Sequence, residues 1–138
     1  MEIYFEWTND ISVGNVDIDN QHQKLLLQIN IILNDIIKGV DVKEVESAIG
    51  FLDSYIKEHF SYEEDYMKKI NYPHLNDHIK MHQEFITKYY EFKKEFNKGE
   101  KKEKIISDIE SYIGEWWINH IGKEDKKYYL FFEEQKKK

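Results

Sequence analysis

A chain of 138 residues with 41% hydrophobic and 15% aromatic side chains is long enough for one domain around one packed core. Its net charge of −7 argues against a nucleic-acid partner, and all 20 basic residues are lysine, leaving no arginine to read phosphate or guanine in bidentate fashion. The absence of cysteine excludes disulfides, thiolate zinc sites, iron–sulfur clusters and cysteine nucleophiles.

No apolar run reaches the roughly 18 residues that a membrane span needs. The acidic N-terminus lacks the charged-then-apolar pattern of a secretion signal, so a cytoplasmic location is expected. Residues 1–18 show no helical period and are expected to lie across the domain as an arm, with Trp7 and Val16 as anchors and a turn at Gly14-Asn15. Asp19 is the expected N-cap of the first helix.

That helix is expected over 20–38, with His22, Leu25, Leu26, Ile29, Leu33 and Ile36 on one face at helical spacing and Lys38-Gly39 as its end. The second is expected over 42–70. Its stripe is Leu52, Ile56, His59, Glu63, Met67 and Ile70, so His59 and Glu63 interrupt an apolar face rather than a solvent face. A buried carboxylate without a partner costs several kcal/mol, so an inward Glu63 needs a cation or a strong donor. Pro73 cannot continue a helix and marks a tight turn.

The third helix is expected over 75–97, with Leu75, His78, His82, Phe85, Tyr89, Phe92 and Phe96 inward. Two inward histidines one turn apart have few structural uses beyond a metal. His74 falls outside the pairs and reads as a surface residue. After a solvated loop at 97–102, the fourth helix is expected over 103–122, carrying Ile105, Ile106, Ile109, Ile113, Trp116, Trp117, His120 and Ile121.

Asp125 follows His120 by five residues, which on a regular helix leaves the two side chains about 140° apart. The helix is therefore expected to end or loosen near Gly122, swinging Asp125 toward His120. Residues 123–138 are expected to form a tail with an apolar centre that packs on the bundle and a charged end that frays.

Four helices joined by short connections imply an all-α, up-down-up-down antiparallel bundle. In that topology His22, His59, Glu63, His78, His82, His120 and Asp125 all fall at the same end. Five imidazoles and two carboxylates are too many for one tetrahedral zinc and suit two octahedral ions bridged by the carboxylates. Nitrogen and oxygen donors without sulfur favour iron, manganese or zinc. The Glu-x-x-His motif of carboxylate-rich di-iron bundles is missing, so the site is histidine-rich instead.

These residues resemble the hemerythrins, specifically the bacterial single-domain type, over nearly the whole chain. The likeness runs through Trp7, Val13-Gly14, Ile18-Asp19 and Gln21-His22, then His59 and Glu63. It continues with Tyr72-Pro73, His78, His82 and Phe85, and closes with Trp116, His120-Ile121 and Asp125.

The resemblance implies a non-heme di-iron centre. One iron would take His78, His82 and His120, the other His22 and His59. Glu63, Asp125 and a solvent-derived oxo or hydroxo group would bridge them. The iron with two histidines would keep an open position at which family members bind O₂, in a pocket that here would involve Trp116, Trp117 and Ile121. The family usually has leucine where this chain has Trp117, whose indole would either crowd the open iron or donate an N–H to a bound ligand.

The leading expectation is thus a reversible O₂ binder for carriage, storage, delivery or sensing, and not an enzyme. The alternative is a di-iron enzyme such as an oxidase, a peroxidase or a nitric-oxide-handling protein. A third possibility is a metal store or a purely structural metal bundle.

Overall fold

The computed structural model describes residues 5–99 and 101–137. Residues 1–4 of the expected arm, and Glu100 of the expected loop, lie outside it.

Helix α1 spans Val16–Lys38. It begins earlier than expected because Asn15, not Asp19, is its N-cap, accepting from the Ile18 N–H at 3.0 Å. Asp19 lies inside the first turn and holds the arm. Its carboxylate accepts from the Ser12 hydroxyl at 2.6 Å and the Val13 N–H at 2.9 Å. Val16, an expected anchor, is 74% exposed, and the anchoring valine is the fully buried Val13. Phe5 adds a second attachment. Its N–H donates to Asn30 Oδ1 at 2.8 Å and its carbonyl accepts from Asn30 Nδ2 at 2.9 Å.

At the far end of α1, Gly39 takes a left-handed conformation (φ 77°) that few side chains tolerate, and the Val40 N–H bonds back to the Asp35 carbonyl. Helix α2 spans Val42–Lys69 and is capped by Asp41. It ends at Asn71, also left-handed (φ 58°), where the Tyr72 N–H returns to the Met67 carbonyl. Asparagine thus stops the helix before Pro73 has to. Helix α3 spans Leu75–Asn97.

The last helix departs most from the sequence reading. The expected fourth helix and tail form one helical rod, α4. It runs as α-helix over Lys102–Asp108, π-helix over Ile109–Gly114, α-helix over Glu115–Asn119, π-helix over His120–Asp125 and α-helix over Lys126–Lys136. The tail is helical because Tyr128 is fully buried and Phe131 packs beside it.

Helix α1 packs on α2 and α4, and α3 packs on the same two. Lys102, at the start of α4, donates to the Ile37 carbonyl at the end of α1, and Lys126 reaches the Asp10 and Ser12 carbonyls ahead of α1. These bonds set α1 and α4 antiparallel. Among the described residues no helix is long and apolar enough to cross a membrane.

The apolar interior falls into two clusters. The larger contains Leu25, Ile29, Ile56, Phe60, Phe85, Trp117 and Ile121. The smaller contains Val13, Ile18, Met67, Tyr72 and Tyr128. The histidines and inward carboxylates lie where the two clusters meet, with members of the larger cluster such as Leu25, Phe60, Phe85 and Trp117 on one side and Ile18, Met67 and Tyr128 on the other.

Candidate metal centre

All seven candidates are buried at that layer. On α2 and α3, ordinary helical stacking at i and i+4 presents His59 with Glu63 and His78 with His82. On α4 the π-turn does the equivalent work. Pairing i with i+5 widens the turn, so His120 and Asp125 come onto one face, and His120 Nε2 lies 3.1 Å from Asp125 Oδ1. The helix loosens where expected and does not end. His74 is exposed and apart from the cluster.

The carboxylate oxygens sort by side. Glu63 Oε1 faces His82 Nε2 at 3.0 Å and His78 Nε2 at 3.3 Å, while its Oε2 faces His22 Nε2 at 3.4 Å and His59 Nε2 at 3.5 Å. Asp125 Oδ1 faces His78 at 2.9 Å and His120 at 3.1 Å, and its Oδ2 faces His22 at 3.1 Å. Each carboxylate therefore offers one oxygen to each of two groups. The ligand atoms of Glu63, His78, His82, His120 and Asp125 lie within 4.8 Å of one another, as do those of His22, His59, Glu63 and Asp125.

This donor set fits two cations better than it fits itself. His22 Nε2, His59 Nε2, His82 Nε2, Glu63 Oε1 and both Asp125 oxygens are buried without a hydrogen bond among the described residues, despite their short approaches. Buried polar atoms are seldom left so. His78 Nε2 and His120 Nε2 stand 3.0 Å apart, a contact that only an intervening proton or metal makes favourable.

Charge in the cluster is held by protons when no metal is bound. Burial disfavours a charged His22 and a charged His78, but the carboxylates of Asp125 and Glu63, 2.9–3.4 Å from their ring nitrogens, outweigh it and raise both pKa values to about 9. Burial dominates at His59 and lowers it to about 3. Glu63 and Asp125 are held below the usual carboxylate range. Burial opposes this, and at Glu63 the neighbouring His59 ring and the close approach of the His22, His78 and His82 ring nitrogens overcome it. At Asp125 burial and the charge of Glu63 are overcome by the close approach of the His120 and His22 ring nitrogens.

Three side chains support the ligands in roles that the sequence reading did not assign, although Gln21 was among the residues carrying the family likeness. His59 Nδ1 donates to Gln21 Oε1 at 2.7 Å, and His82 Nδ1 donates to Glu64 Oε2 at 2.8 Å. Each bond puts the ring proton on Nδ1 and leaves Nε2 with its lone pair toward the cluster. The Tyr128 hydroxyl donates to Glu63 Oε2 at 2.8 Å. The available signal was adjacency: Gln21 precedes His22, Glu64 follows Glu63, and Tyr128 lies one turn beyond Asp125.

Aromatic rings hold the imidazoles. Phe60 stacks on His82 with centroids 3.8 Å apart, and Trp116 stacks on His120 at 4.4 Å. Trp117 sits beside His59 at 5.7 Å. The two adjacent tryptophans thus attend opposite halves of the cluster. Trp117 and Ile121 are fully buried in the larger apolar cluster, and Trp116 is partly buried against it.

Fold and site together define a four-helix-bundle protein with a buried cluster of histidines and carboxylates able to hold metal. The chain belongs to the hemerythrin family: the model for the hemerythrin HHE cation binding domain matches residues 13–131. Among its relatives, a bacteriohemerythrin of Clostridium acetobutylicum is 32% identical over 135 residues, covering 90% of this chain and 98% of its own. A bacteriohemerythrin of Pseudomonas paraeruginosa is 30% identical over 122 residues, covering 88% of this chain and 77% of its own. A hemerythrin-like protein of Naegleria gruberi is 29% identical over 126 residues, covering 90% of each. Membership makes this chain an oxygen-binding metalloprotein, a role that its buried histidine and carboxylate cluster fits.

Proposed function

We propose that the cluster holds two iron ions and that the chain binds dioxygen reversibly at one of them, without turning it over. His78, His82 and His120 would hold one ion, His22 and His59 the other, with Glu63 and Asp125 spanning both. The observation that carries this reading is the sorting of carboxylate oxygens, one from each acid toward each histidine group. When bound, the two ions supply the two electrons that reversible uptake of one dioxygen molecule draws on.

The protein's own part is to orient, desolvate and limit. Gln21 and Glu64 fix two rings in the tautomer that leaves Nε2 free. The group with two imidazoles has one fewer protein donor than its neighbour, so an ion held there would keep room for a small ligand. Trp117 and Ile121 would line the adjoining pocket and keep bulk water out, while Trp116, which the sequence also placed there, stacks on His120 in the other half. An apolar wall of this kind supports binding more than catalysis, since it offers no mobile acid or base to complete a reaction.

The test is an anaerobic ferrous titration followed by air, watched by visible absorption. Uptake of two irons per chain, then a band that argon reverses, supports the proposal. Immediate and irreversible conversion to a diferric spectrum points to an oxidase instead. Uptake of fewer than two irons overturns the site assignment.

A further inference from the structure

Trp117 is fully buried, yet its indole Nε1 has no hydrogen-bond partner among the described residues. An indole can only donate, so a second donor cannot satisfy it. Its ring neighbours are Phe60 at 5.4 Å, Phe85 at 5.3 Å, Trp116 at 5.2 Å and His59 at 5.7 Å. Only His59 among them carries nitrogen that could accept. Its Nδ1 is committed to Gln21, and its Nε2 belongs to the cation cluster. The ring packing around the indole therefore supplies no free acceptor.

We propose that the Trp117 N–H donates a hydrogen bond to a small ligand taken up beside His59, making Trp117 a ligand-selecting donor rather than a core filler. The inference rests on the di-iron reading above. Position favours this half of the cluster, because Trp117 lies against His59 whereas Trp116 covers His120. The group at His59 is also the one with a donor position to spare. In so apolar a cage a single hydrogen bond is strengthened by the low local dielectric. The ligands favoured are small acceptors such as dioxygen and azide. Carbon monoxide, a weak acceptor, gains least.

The probe is azide, titrated into the iron-loaded, air-oxidised protein and followed by visible absorption. Trp117→Phe keeps an aromatic ring and removes the N–H. It is expected to retain two irons per chain and to bind azide about tenfold more weakly. Trp117→His, which restores a ring N–H, is expected to recover part of that loss. Ultraviolet resonance Raman of the wild-type protein needs no variant. The indole N–H band of a tryptophan should move toward the hydrogen-bonded position when azide is added.

Equal or tighter azide binding by Trp117→Phe overturns the inference, tighter binding meaning that the indole crowds the ligand. So does an indole band that azide leaves unmoved. A wild-type protein that loads fewer than two irons overturns the di-iron reading itself, whereas two irons with azide affinity indifferent to Trp117 overturn this inference alone.

Discussion

His120 Nε2 and Asp125 Oδ1 lie 3.1 Å apart although five residues separate them, because the helix between them is π-helical. The widened turn lets one rod deliver both an imidazole and a carboxylate to the cluster. It then resumes as α-helix over Lys126–Lys136, which brings Tyr128 over Glu63.

That continuation makes Tyr128 testable. Tyr128→Phe keeps the buried ring and removes the bond to Glu63 Oε2. The phenol's absence leaves a buried carboxylate oxygen short of a donor. Chemical denaturation of the metal-free variant is expected to show a loss of about 1–3 kcal/mol, and iron affinity is expected to fall about tenfold or more.

Glu64 and Gln21 orient histidines without joining the cluster. Glu64→Gln weakens the bond that fixes His82, and Gln21→Ala removes the one that fixes His59. Each is expected to lower iron affinity by about 10–100-fold while leaving helix content unchanged. Competition against a chelator, read beside circular dichroism, checks both halves of that statement.

The metal-free chain should show a distinct dependence on pH. His22 and His78 have folded pKa values of about 9 against an ordinary 6.5. A raised value means that the folded state holds protons more tightly than the unfolded state. Their stabilisation is therefore complete below about pH 6.5 and is lost as pH rises through about 9. Glu63 and Asp125 are shifted down, so their contribution is present above the ordinary carboxylate range and is lost as pH falls below it. His59, held down to about 3, takes its proton only in the unfolded state, so stability also falls as pH drops below about 6.5, and melting of the stripped protein should be highest at roughly pH 6 to 6.5. Loading metal in weak buffer should release protons. A melting temperature that keeps rising to pH 9 would contradict the assigned charges.

The arm is held by a close approach. A Cβ on Gly114, in the first π segment of α4, would overlap the Phe5 ring. Gly114→Ala is expected to destabilise the fold by about 1–3 kcal/mol through overpacking. If displacement of Phe5 is the cause, the penalty of Gly114→Ala should largely vanish in a Phe5→Ala background, a coupling that a double-mutant cycle measures.

Much of the site is legible in the amino-acid order because its ligands sit on helical stripes. His59 with Glu63 and His78 with His82 are neighbours at i and i+4, a spacing fixed by the helix itself. Short connections then force antiparallel neighbours and bring the stripes to one end. The ends of elements were less legible. Asp19 and Asn15 are both good caps by residue type, and the choice went to Asn15 because Asp19 is engaged by Ser12 and Val13. Val16 looked like an anchor by hydropathy alone, but on α1 it faces solvent.

The sequence by itself determined an all-α bundle with five histidines and Glu63 on inward faces, since helical periodicity and burial cost are local properties of the chain. Only the tertiary structure decided which carboxylate oxygen meets which imidazole. It also decided that Asp125 is recruited through a π-turn, that Gln21, Glu64 and Tyr128 brace the cluster, and that Trp117 and Trp116 divide between its halves. Those contacts join different helices, at separations of 38 residues for Gln21 and His59 and 65 for Glu63 and Tyr128, and no periodicity along one helix encodes them.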